Sequence, residues 1–299
     1  MTITSHHLLS RYLIGMPHLS AVGLSEQWLL KECGHQHWLA LAQACGKLVP
    51  EFYDRQGHKV YAAFVCVEVN NARLDDIKEN DELDMATELT RLSASRSMSS
   101  HVLMKADRVI ARVMMVSTFV YRQERGNNQS VAKAELHTIA PAQENHPLSA
   151  QAFKLLKNHK QHRHDSPAAG DSFRYQPCPY SDFNGADFLY FAAFQQIADR
   201  AESLLMADLH HQHLHQKHQH LHQGLWVTRQ RSLCYYGNLN IGDSVYVQVA
   251  RQQISDSTLK HRLQLRRASD DALLLTVITE KKAVAHAMLK SGELTQAVG

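Results

Sequence analysis

The chain has 299 residues, 44% apolar and 20% charged, with 32 basic side chains against 29 acidic. That balance suits a globular protein with a sizeable core, and no basic block interleaved with aromatics marks a nucleic-acid binder. No apolar run approaches the roughly 18 residues of a membrane-spanning helix, and the N-terminus MTITSHHLLSRYLIGMPH lacks the basic start and apolar core of a secretory signal.

The five cysteines (Cys33, Cys45, Cys66, Cys178, Cys234) are scattered, odd in number and without a CxxC pair, which fits a reducing cytoplasm better than a disulfide framework. In chain order, residues 26–33 read as a strand broken at Gly34, and residues 35–44 as a short helix carrying Trp38, Leu39, Leu41 and Ala42. Strand-like runs follow at 59–69, 83–92, 99–106 and 109–121, the last rich in β-branched and aromatic residues.

A connector is expected over 126–177, where RQERGNNQS ends and KNHKQHRHDSPAAGDS is polar and rich in turn formers, with a helix over 151–158. It separates an N-terminal unit, 1–125, from a C-terminal unit, 178–299. In the second unit YSDFNGADFLYFAAF (180–194) leads a polar loop into an aromatic approach and then a helix. Strands are predicted at 225–234, 244–253, 259–268 and 272–281, punctuated by Gly237-Asn238, Gly242-Asp243 and Ser269-Asp270-Asp271. Helix followed by antiparallel strands thus occurs twice. An offset of about 162 positions sets Asp81-Glu82-Leu83 near Asp243-Ser244-Val245 and Leu103 on Leu265.

The stretch 180–194 is similar to the approach to the central helix in hot-dog acyl-thioester enzymes. Its thioesterase branch has an Asp, an aromatic pair six and seven residues on, and an aromatic at ten; here the spacing persists as Asn184, Tyr190–Phe191 and Phe194. Asn stands at the Asp position. An amide cannot act as a general base, so the segment points to thioester binding and away from carboxylate-assisted hydrolysis.

Four stretches, GMPHLSAVGLSEQWLLKECGHQHW (15–38), VYAAFVCVEV (60–69), DFNGADFLYFAAFQQIADRAE (182–202) and SLCYYGNLNIGD (232–243), resemble a particular family. It is the double hot-dog acyltransferase/decarboxylases of polyketide biosynthesis, typified by the leinamycin-pathway enzyme. The resemblance implies an α+β double hot dog, two curved antiparallel sheets each wrapped around a central helix. It implies decarboxylation of a malonyl-type acyl-CoA, methylmalonyl-CoA, and delivery of the acyl group to an acyl carrier protein. No cofactor is expected beyond the coenzyme A thioester, which stabilises its own enolate, and neither nucleic acid nor membrane is an expected partner.

By the same resemblance Tyr61 is catalytic, as an acyl-accepting nucleophile or as a hydrogen-bond partner of the acyl group. A phenol is a poor nucleophile unless its anion is stabilised, but an effective donor to an enolate oxygen. Asn184 can offer an amide N–H to the same oxygen, although Asn184-Gly185 is also an ordinary turn pair. Asp182, a candidate loop cap, joins Gly185 and Tyr190 as the expected substrate-binding set.

Other residues invite plainer readings. His18 has no fixed acidic partner, with Glu32 the conceivable one. Thr90, Ser93, Ser95, Ser97, Ser99 and Ser100 read as a polar turn between strands. The stripe Phe194, Ile197, Ala198, Ala201, Leu204, Leu205 reads as core. The tract HHQHLHQKHQHLH (210–222) holds seven imidazoles but no Cys or carboxylate ligand, and reads as a solvated extension. Arg200, Arg229, Arg231, Arg266 and Arg267 are available for coenzyme A phosphates; no Walker A or GxGxxG pattern occurs. A thioesterase or dehydratase of the same fold, a non-catalytic acyl or carrier-protein module, and metal buffering by the histidine tract are the alternatives.

Overall fold

One long antiparallel sheet organises the chain. In the computed structural model, residues 6–136, 146–164, 166, 172–212, 225–255 and 257–284 are described. The first half comprises β1 (His6–Leu13), β2 (Leu19–Ser20), β3 (Gly23–Leu24), α1 (Glu26–Ala44), β4 (Phe52–Tyr53), β5 (Lys59–Asn70), β6 (Glu82–Arg91), β7 (Arg96–Lys105) and β8 (Arg108–Arg122). Then come β9 (Val131–Lys133) and α2 (Pro147–His162). The second half comprises β10 (Ser172–Tyr175), α3 (Phe191–Gln212), β11 (Leu225–Tyr235), β12 (Val245–Ile254), β13 (Thr258–Arg267) and β14 (Leu273–Val284).

The order β1-β6-β7-β8-β5 runs without a break into β11-β14-β13-β12-β10. The second sequence of strands is the first, reversed as a two-fold at the β5–β11 seam would reverse it, with Cys66 opposite Cys234. α1 and α3 contribute Leu29, Leu30, Cys33, Phe194, Ile197, Ala198 and Ala201 to one core shared by both halves of the sheet. Each half is a hot-dog unit, and the chain is a double hot dog.

The repeat extends to irregularities. A β-bulge interrupts β5 between Phe64 and Cys66 against β8, and β11 between Thr228 and Gln230 against β14, 164 positions on. Another leaves Ile110 of β8 as the extra residue opposite Leu103/Met104, and Leu274 of β14, again 164 positions on, opposite Leu265/Arg266. Bulges bend and twist a strand, so matching bulges give the two halves matching curvature.

α1 corrects the expected strand and break. Ser25 caps it by accepting from the Trp28 N–H at 3.3 Å, and Leu29, Leu30, Cys33, His37, Ala40 and Leu41 form a buried helical stripe. Gly34 lies inside the helix, where it costs about 1 kcal/mol against Ala. Its reason is steric: a Cβ there would sit 2.7 Å from the Phe191 ring.

The stretch 126–177 holds ordered elements. β9 pairs with β8, and β10 pairs with β12 as the far edge of the second half. α2 lays Leu148, Ala152 and Leu155 on Cys66, Met98, Val116 and Cys234, across the seam. In the core stripe of α3, Leu204 departs from expectation and is exposed. No helix among the described residues is long and apolar enough to cross a membrane.

Candidate functional site

The chain enters α3 through a loop that folds against the seam, and a cavity of ≈240 Å³ opens there. Its walls are Trp38 of α1, residues 61–65 of β5, Thr118 and Val120 of β8, Asn184, residues 188–191, Phe194 and residues 235–238. None of the described lining residues carries a charge.

Tyr61, Asn184 and Tyr190, three of the five residues expected from sequence, meet in this cavity. The Tyr61 ring packs edge-on against Phe188 at 5.3 Å. Asn184 Oδ1 accepts from the N–H groups of Ala186 at 3.0 Å and Phe188 at 3.1 Å. That is the turn offered as the plainer reading, and it assigns the amide: its oxygen is occupied, so Nδ2 is the group with hydrogens to give. Burial, with the charge of Glu32, pushes the Tyr190 phenol up to about 12, so it too stays protonated at neutral pH.

Asp182 and Gly185 lie outside the cavity lining. Asp182 is buried and accepts from Tyr175 O–H at 2.9 Å, Cys178 N–H at 2.7 Å and Ser181 O–H at 3.0 Å, which makes it the loop brace. Gly185 is exposed, with open space about it.

Both halves hold this loop. Arg122 of β8 places its guanidinium 4.3 Å from the Phe188 ring centre and donates to the Ala186 carbonyl and to Asn128 Oδ1, each at 2.6 Å. Asn128 donates to the carbonyls of Asp187 and Leu239. Asn238 donates to the Leu189 carbonyl at 3.0 Å and accepts from the Leu189 N–H at 2.9 Å. Sequence reading names none of these three as a site residue, and the Gly237-Asn238 turn is the one local signal.

Behind the wall, Phe64 meets Phe191 at 4.4 Å and His37 at 5.1 Å. His37 bonds Ser99 at 2.7 Å and Ser117 at 2.8 Å, and Ser99 bonds His101 at 2.8 Å. Burial pushes both imidazoles down to about 3, so they are neutral and structural at pH 7.

A twin cleft of ≈240 Å³ lies at the start of α1. Its chemistry is opposite. Glu26 and Phe191 are the first residues of α1 and α3, and His37 and Glu202 the twelfth. With the shift of the matching bulges, Phe64, Val67 and Ser117 correspond to Thr228, Arg231 and Lys281. The Phe64–Phe191 contact becomes a Thr228–Glu26 hydrogen bond of 2.6 Å. The His37–Ser117 bond becomes Lys281 donating to Glu202 at 2.6 Å, and His37–Ser99 becomes His261 at 3.0 Å from Glu202. Arg231, its side chain fully buried, reaches Glu26 and Asp199 at 2.7 Å each. Burial acts to raise Asp199, but the charges of Arg231 and Lys281 outweigh it and hold the carboxyl below its usual range. An ion-paired carboxylate of that kind is a poor base.

The remaining expectations resolve elsewhere. His18 Nδ1 accepts from the Gly15 N–H at 2.9 Å, while Glu32 accepts from Tyr12 and Gln36, so the two do not pair. Arg229 pairs with Asp75, Arg266 with Asp271 and Arg267 with Asp270, and Arg200 lies over Tyr175; none of them lines the cavity. Ser97 and Ser99 are buried in β7 rather than in a turn. The side chains of tract 210–222 lie outside the described residues.

Comparison with solved structures places this architecture. An acyl-ACP thioesterase from Bacteroides thetaiotaomicron matches with a TM-score of 0.60 at 8% identity, over 92% of this chain and 98% of that one. The 12:0-ACP thioesterase from Umbellularia californica matches at 0.61 and 8% identity, over 95% of this chain and 100% of that one. They share the fold. At such identity the likeness extends no further. No protein-family model matches the sequence, and no curated protein matches it.

Proposed function

We propose that the cavity takes a malonyl-type acyl-CoA such as methylmalonyl-CoA, decarboxylates it and passes the acyl group to an acyl carrier protein in a polyketide-type assembly line. One observation carries the reading: a phenol and an amide, Tyr61 and Asn184, line a space with no described carboxylate, imidazole or cation in its lining.

A malonyl carboxylate entering it leaves water and meets no counter-charge. Loss of carbon dioxide removes that charge from the carboxylate. The bond from Cα to the carboxylate carbon breaks, its electron pair passes onto the thioester oxygen as an enolate, and carbon dioxide departs. Tyr61 O–H and Asn184 Nδ2–H suit that oxygen as donors. A proton from solvent adds at Cα and gives the saturated thioester. The carrier's pantetheine thiol then attacks the acyl carbon, the bond to the coenzyme A sulfur breaks, and the thiol proton ends on released coenzyme A.

Hydrolysis, the activity in the names of the structural relatives, is the second reading. It needs a group to deprotonate water, and no described lining residue is one.

Intact-mass spectrometry of the full-length chain with methylmalonyl-CoA and a holo acyl carrier protein tests the proposal. A carrier gaining one propionyl group, and not doing so with Tyr61→Phe, supports it. Free acid without a carrier adduct would transfer the assignment to hydrolysis, and a methylmalonyl adduct would mean transfer without decarboxylation.

A further inference from the structure

α2 carries one sign of charge. Its sequence, PLSAQAFKLLKNHKQH, contains no Asp or Glu. Because Leu148, Ala152 and Leu155 face the sheet, the helix turns Phe153, Lys154, Lys157 and Lys160 to solvent, with exposed Arg163 at its end. Phe153 is 73% exposed. The three lysines follow one another along about 9 Å of helix axis. An aromatic ring set among cations has the make-up of a contact patch: the ring supplies buried area, the charges steer and orient.

The helix is also tied to the cavity wall. His159 stacks on Tyr236 at 4.6 Å and donates from Nε2 to the Tyr235 carbonyl at 2.8 Å. Tyr236 O–H donates back to the His159 carbonyl at 3.1 Å. Both tyrosines line the cavity. Burial lowers His159, so these contacts hold with a neutral ring. Beside α2, a groove of ≈560 Å³ brings Arg251 and Arg262 next to His162; Glu68 and Glu280 also line it, the latter paired with Lys260 at 2.8 Å. The positive surface therefore continues from the helix onto the second half of the sheet.

We infer that this face docks the acyl carrier protein through an acidic surface of that partner, carboxylates lying across Lys154, Lys157 and Lys160 and an apolar side chain on Phe153. The inference rests on the function proposed above and names the surface its partner uses.

Fluorescence anisotropy of a labelled holo acyl carrier protein, titrated with the full-length chain, reads docking without any chemistry. The wild type should bind, and binding should weaken steeply as salt rises from about 50 to 300 mM. K154E/K157E/K160E should lose about tenfold or more in affinity, with K154Q/K157Q/K160Q between, while both variants turn over methylmalonyl-CoA at the wild-type rate. Thermal melts establish that each variant is folded, and the glutamine variant carries the test if the reversal is not.

Equal carrier affinity in all three proteins overturns the docking surface, whether or not the thioester is consumed. Salt-sensitive binding lost in the variants supports it even if the chain proves to hydrolyse its substrate, so the two proposals fail separately. Wild-type binding to vesicles of about 30% phosphatidylglycerol, with none to the carrier, would assign the face to a membrane surface and overturn the inference.

Discussion

Gly34 of α1 and the Phe191 ring at the start of α3 leave no room between them: a Cβ on Gly34 would meet two ring carbons at 2.7 Å. Phe191 lines the cavity, so one absent methyl group sets both the helix crossing and the pocket wall. Gly34→Ala should gain about 1 kcal/mol of helix propensity and lose about 1–3 kcal/mol to overpacking. A lower melting temperature and a higher KM for the acyl thioester are expected. An unchanged pair of values would sink the steric account.

Asn184→Asp should fold, because a carboxylate keeps the two bonds that Oδ1 accepts from Ala186 and Phe188. It exchanges an N–H donor for an anion beside a developing enolate. Decarboxylation should fall about 10²–10³-fold, and free acid should appear as the new carboxylate activates water. Product analysis by mass spectrometry decides; wild-type decarboxylation without acid release would remove Asn184 from the chemistry.

Stability should depend on pH through the buried imidazoles. Burial holds His37 and His101 at about 3 in the folded chain, against 6.5 when solvated. Between those limits the unfolded chain binds protons that the folded chain does not, so stability is full above about pH 6.5 and is lost as pH falls towards 3. His37→Gln can still bond Ser99 and Ser117 but does not titrate. Its urea midpoint should decline less steeply with acid than that of the wild type, and parallel slopes would clear His37 of the effect.

Arg231→Met should cost about 3–5 kcal/mol, the usual penalty for leaving buried charge unpaired. The charge stranded is that of Glu26, while Asp199 loses Arg231 but keeps Lys281 at 3.0 Å. Adding Glu26→Met should recover part of that loss, since the orphaned carboxylate disappears with it. Urea unfolding of the singles and the double gives the coupling; strictly additive losses would mean the pair is not coupled.

Much of the architecture is legible without coordinates, for a physical reason. Apolar alternation along 59–69 and β-branched content along 109–121 are local properties, and they suffice to place β5 and β8. α1 is not legible in this way. Gly34 reads as a breaker because its propensity is local, while its service to Phe191 appears only once α3 lies across it. Asn184 reads as donor or turn, and its Oδ1 bonds explain why the two readings are compatible. Trp38, Phe188 and Asn238 reach the cavity from three distant segments. Nothing in any one of those segments announces the others, because tertiary packing alone associates them.

Covalent joining of the halves has a genetic consequence. In a homodimer every substitution is written twice, and both clefts must tolerate it. Here position one of the helix is Glu26 in one copy and Phe191 in the other, and the facing strand offers Thr228 or Phe64. A single gene encoding both copies lets each drift on its own. One cleft can serve as an ionic rivet between the halves while selection reshapes the other for its ligand, and a mutation that improves the second leaves the rivet untouched.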